Sequence, residues 1–97
     1  MLYEALGQVT PSPVVELNRA VAVGMAEGPQ AGLDLVDGLV KEGGLDGYHL
    51  LPAVRGDLLE KLGRVDEAGL EFERAAALTQ NERERALLLA RANGASG

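Results

Sequence analysis

Apolar residues recur every three or four positions through most of the chain, and almost nowhere every second position. Val14, Leu17, Val21 and Met25 form the first such stripe. This period is that of a helix burying one face. Ser12 is a suitable N-cap for this helix, with Pro13 at its first position, where a missing N–H costs nothing. Glu27-Gly28-Pro29 ends this helix and starts a second, whose stripe is Leu33, Val36 and Leu39 or Val40. Lys41 to Gly44 and Asp46-Gly47 read as loop. A third helix carries Leu51, Val54, Leu58 and Leu62. Pro52 is tolerated only in its first turn, so the helix begins near His49 or Leu50, and Gly63 ends it. A fourth shows Val65, Ala68, Phe72 and Ala75 on one face. Asn81 to Glu84 is a variant capping box opening a fifth helix to about Ala92. Asn93 to Gly97 reads as a frayed tail, and Met1–Gly7 as the stub of another helix. β-Branched residues are few, so the expected class is all-α.

Helices this short, joined by turns this tight, pack as antiparallel neighbours. Residues 1–97 are therefore expected to form a single helical domain. Residues 8–46 read as a degenerate helical pair, 47–80 as a clearer pair, 81–93 as a capping helix and 94–97 as a tail. In residues 49–82, Gly56, Leu59, Gly63, Val65, Ala68, Phe72 and Ala75 fall where the tetratricopeptide repeat has its small and hydrophobic positions. The stretch Leu62-Gly63-Arg64-Val65-Asp66-Glu67-Ala68 is especially similar to that repeat's turn. The repeat is a helix–turn–helix unit of about 34 residues. The resemblance implies a short solenoid, with Gly56 and Ala68 small where helices cross and Phe72 filling the groove between pairs. Pro52, Arg55 and Gln80 depart from the pattern, and an ordinary helical hairpin is the plainer reading. Solenoids usually need three or more repeats for stability. Either further chain or a second copy should therefore cover the surplus apolar surface, and isolated copies are expected to pair.

A longer ordered match covers about residues 1–92. Ser12-Pro13-Val14-Val15-Glu16-Leu17-Asn18-Arg19-Ala20-Val21-Ala22-Val23 is followed by Gly28-Pro29-Gln30-Ala31-Gly32-Leu33. Then come Tyr48-His49-Leu50-Leu51-Pro52-Ala53 and Leu58-Leu59-Glu60-Lys61-Leu62-Gly63-Arg64. In this order the chain resembles the C-terminal, tetratricopeptide-like extension of a bacterial subgroup of extracytoplasmic-function RNA polymerase sigma factors. The resemblance implies a C-terminal piece of a longer cytoplasmic protein that regulates transcription initiation. It also implies a protein partner: the parent's sigma domains, polymerase or a separate regulator. A free-standing helical-repeat adaptor that binds a peptide or protein is the alternative.

Composition narrows the chemistry. The 97 residues include 15 acidic and 9 basic ones, giving a net charge of −6, and no Cys or Trp. Disulfide scaffolds and cysteine-ligated metals are excluded. Phosphates would repel so acidic a surface, so this segment is not expected to touch nucleic acid, although the parent would bind promoter DNA. No apolar run approaches the roughly 18 residues of a membrane span. Residues 1–47 hold seven acids against two bases, whereas the rest is nearly balanced. The acidic half is a solubilising surface or a face for a basic partner. No catalytic constellation, phosphate loop or cofactor motif appears, so an enzyme is not expected.

Five residues are candidate partner contacts. Asn18 and Arg19 stand out in an apolar helix, though Arg19 has Glu16 in the previous turn as a local partner. Tyr48 and His49 lie at a helix start. His49 is either a pH-sensitive contact or a capping and packing residue. In the run Leu87-Leu88-Leu89, three adjacent leucines cannot all face inward, so one or more should face a partner surface, with Leu88 the candidate contact and a simply exposed leucine the plainer alternative.

Overall fold

The computed structural model describes residues 13–96. Five helices follow one another: α1 Pro13–Glu27, α2 Pro29–Glu42, α3 Leu50–Lys61, α4 Val65–Leu78 and α5 Glu82–Ser96. The described residues contain no strand. The expected Ser12 cap and the Met1–Gly7 stub lie outside the described residues. Each helix packs on the next in sequence, and α1 also touches α3. This stepwise stacking gives an elongated body of 52 × 31 × 20 Å.

Local sequence explains the ends. Gly63 (φ +81°) is left-handed, and the Gly63 and Arg64 N–H groups donate to the Glu60 and Leu59 carbonyls at 3.0 and 2.9 Å. These paired bonds close α3 as the sequence leads one to expect. Pro52 lies in the first turn of α3. Asn81 Oδ1 accepts the Glu84 N–H at 2.9 Å, capping α5. The Glu84 side chain does not complete the box; it turns to Thr79 Oγ1 at 2.5 Å. Arg85 secures the end of α4 by donating to the Ala76 and Thr79 carbonyls.

Close approach holds the α1–α2 hairpin. A Cβ on Gly32 would sit 2.8 Å from the Ala20 carbonyl oxygen and 2.9 Å from Gly24 Cα. Only glycine lets these backbones meet. Leu17, Ala20, Leu33, Val36 and Leu39 fill the first part of the core. Leu51, Leu58, Leu59, Ala68, Phe72, Ala75 and Ala76 continue it, and Leu88 and Ala92 bring α5 onto it.

One open choice is resolved and three expectations change. Leu39 is the buried end of the α2 stripe, and Val40 is exposed. Val65 is also exposed, so the buried face of α4 begins at Ala68. The space at Gly56 serves the Phe72 ring, whose Cε1 would lie 2.8 Å from an added Cβ. The expected tail is helical through Ser96, because Ala92 packs into the core and carries the last turn with it.

Candidate interaction surface

The first apolar stripe divides. Leu17 and Ala20 are buried, but Val14 and Val21 are exposed and Met25 is 79% exposed. Helical spacing puts Val14, Asn18, Val21 and Met25 on one face, beside the core-facing one. Helix α1 is therefore apolar over two adjacent faces and buries one. Val21, Gly24 and Met25 form one wall of a groove of about 270 Å³; Ala53, Val54, Asp57, Leu58 and Lys61 of α3 form the other. Arg91 of α5 closes one end.

The polar end of the groove is tightly paired. Arg91 Nη2 donates to Asp57 Oδ1 at 3.0 Å and to Glu60 Oε1 at 2.8 Å. Its guanidinium lies 4.3 Å from the Phe72 ring centroid. Lys61 Nζ stands 3.0 Å from Asp57 Oδ2. Partial burial pushes the Asp57 carboxyl up, but the bonds from Lys61 and Arg91 outweigh it and hold the group below the ordinary carboxylate range. Burial likewise lowers Arg91, and its bonds to Glu60 and Asp57 reverse that into a raised affinity for its proton. The groove thus offers an apolar floor with a fixed, mutually neutralised ionic end.

A second cleft lies across α2, α3 and α4. Arg55 Nε donates to Asp37 Oδ1 at 2.8 Å, and Arg55 Nη1 to Glu71 Oε2 at 2.8 Å. Arg74 reaches the same Glu71 oxygen at 3.1 Å. Glu71 is buried, so the two guanidiniums are what make its charge tolerable there. A third cleft, between α1 and α2, gathers Glu16, Asp34 and Glu42 around Pro13, Leu35 and Leu39. Glu16 projects from the side of α1 opposite Met25, nine residues or two and a half turns away.

The candidate contacts fall in different places. Asn18 is exposed on the face shared with Val21 and Met25. Arg19 is exposed and pairs with Glu16 at 3.2 Å. Tyr48 and His49 are half-buried, with rings edge to face at 5.7 Å. His49 Nε2 meets Glu84 Oε1 at 2.9 Å, clasping the start of α5; its side chain makes no cap bond at the start of α3. Glu84 is held below its ordinary range, first by the Thr79 hydroxyl and also by His49. Leu88 requires correction: it is only 7% exposed and packs in the core, while Leu87 and Leu89 are 61% and 43% exposed. Leu88 shares its inward direction with Ala92, one turn on, and that pairing fixes which leucine turns in.

Sequence reasoning missed the groove. Its signal was present in α1, where two stripes one residue apart compete for a single neighbour. Arg55, a departure from the repeat pattern, bridges Asp37 and Glu71, a role that the pattern does not reveal. Among the described residues, no group of three or more His, Cys, Asp or Glu side chains is placed to hold a metal ion, and no helix is long and apolar enough to cross a membrane.

Comparison with known proteins adds one relative. An uncharacterized protein of Rhizobium meliloti (strain 1021) is 49% identical over 88 residues, which is 91% of this chain and 20% of that protein. The chain therefore spans about a fifth of the relative's length, and most of that protein lies outside the match. No family model and no solved structure matches the chain.

Proposed function

We propose that this domain is a non-catalytic interaction module of a bacterial extracytoplasmic-function sigma factor, adjusting transcription initiation through protein contacts. The observation that carries the reading is the α1–α3 groove. Val21 and Met25 sit at helical spacing yet stay outside the core, and a partner side chain placed between them and Val54 would complete their burial. The sigma-factor part rests on the ordered sequence resemblance. The tetratricopeptide-like part is supported by the stacked hairpins and by the packing of Gly56, Leu59, Ala68, Phe72 and Ala75 around one core.

The occupant we favour is the parent's own promoter-binding domains. A tethered surface meets the groove at high effective concentration, so a modest apolar contact suffices. Polymerase and a separate regulator are the other outcomes. The acidic cleft of Glu16, Asp34 and Glu42 suits a basic surface on the opposite side of α1. The test deletes residues 1–97 from the parent protein and measures promoter-specific transcription. A change of several-fold supports the reading; unchanged output at equal protein level refutes it.

A further inference from the structure

We propose that the domain is two rigid bodies joined by a hinge, and that the Asp37–Arg55 pair is a latch setting the width of the groove. The first body is α1–α2, locked by the backbone contact of Gly24 and Gly32. The second is α3–α5. It is locked by Phe72 against Gly56, by Arg91 on Asp57 and Glu60, and by His49 on Glu84. The connecting loop holds Gly43 and Gly47 in left-handed conformations, at φ +77° and +86°. Packing between the bodies runs mainly through α2 on α3, with a slighter touch of α1 on α3. Among the described residues, Asp37–Arg55 is the ion pair that joins the bodies.

The groove and the latch lie on opposite sides of that α2–α3 contact. The groove opens between α1 and α3. The latch opens into the cleft beside Glu71 and Arg74, and no residue lines both. A tie on one side of a hinge holds the other side open. Gly24 of α1 already lies against Leu58 of α3 at the floor of the groove, so releasing Asp37 from Arg55 lets the bodies roll about that contact and narrow the groove's mouth. Arg55 then keeps Glu71, so the buried carboxylate stays paired. Both members of the latch are partly solvated, which keeps the bond weak enough to break reversibly.

The regulatory consequence rests on the groove reading above, but the hinge itself is measured without a partner, so each can fail alone. The chain has no cysteine, so paired spin labels go in cleanly. Ala26 and Ala90 are exposed and adjoin Met25 and Arg91, straddling the groove. Label Ala26→Cys/Ala90→Cys and record the distance distribution with and without Asp37→Asn. The expected result is a broader distribution, with the share of short distances rising about two- to fivefold, as losing a partly exposed ion pair implies. A control pair within the second body, Glu73→Cys/Ala90→Cys, should not change. An unaltered Ala26–Ala90 distribution overturns the proposal. So does equal broadening of the control pair, which would mean general loosening.

Discussion

Two glycines of α2 make a matched experiment. Ala at Gly38 meets nothing within 4 Å, so the substitution should return the helix-propensity difference alone, a stabilisation of about 0.5–1 kcal/mol. Ala at Gly32 gains the same propensity but drives its methyl to 2.8 Å from the Ala20 oxygen and 2.9 Å from Gly24 Cα. Both are backbone atoms, which cannot swing away as a flexible side chain would. The two helices must separate, and overpacking of this kind costs about 1–3 kcal/mol. Because backbone has to move here, the upper half of that range applies. The net loss for Gly32→Ala is about 1–2 kcal/mol. At this chain length about 1 kcal/mol moves the midpoint by roughly 4–8 °C, so the two variants should melt well apart on opposite sides of the parent. Thermal and urea unfolding followed by circular dichroism at fixed protein concentration reads both. If Gly32→Ala is as stable as Gly38→Ala, the helices do not meet through glycine and the rigid first hairpin is wrong.

Three further outcomes follow from other contacts. Leu88→Ala should cost about 2–4 kcal/mol in urea unfolding, while Leu87→Ala should stay within about 0.5 kcal/mol; equal effects would reverse the assignment of the inward leucine. The Asp57 carboxyl is depressed in the folded state, so its stabilisation is present above the unfolded-state value and lost as pH falls through the folded one. Asp57→Asn should therefore flatten the acid limb of stability below about pH 5, and an unchanged limb would remove the Arg91–Asp57–Lys61 account. Arg91→Lys keeps the charge but not the planar guanidinium over Phe72, so it should recover only part of the stability that Arg91→Ala loses; full recovery would deny the stacking.

The all-helical class and most helix ends were legible because they depend on neighbours in sequence. Gly63 closes α3 and Asn81 caps α5 through bonds that span only a few residues. What faces what was less legible. The α1 stripe is compatible with two orientations a third of a turn apart, and the choice is made by Gly32, a residue in the next helix. The triple leucine has the same ambiguity, decided by Ala92 and the surface of α4. Arg55 looked like a departure from pattern, because its partners Asp37 and Glu71 are 18 and 16 residues away. The end of α5 is not legible in sequence because Asn93-Gly94 is a weak helical sequence that is helical here beside the buried Ala92.

The central claim is that the groove is where this domain touches a protein. Met25 tests it most directly, since it is mostly exposed and can be changed without disturbing the core. Burying a methionine contributes about 1.5–3 kcal/mol, so Met25→Glu should weaken the contact roughly tenfold or more. If the proposed sigma-factor reading holds, Met25→Glu in the full-length protein should shift promoter-specific transcription in the same direction as deleting the segment, with the melting temperature unchanged. Wild-type transcription from a parent carrying a folded Met25→Glu domain would contradict the account.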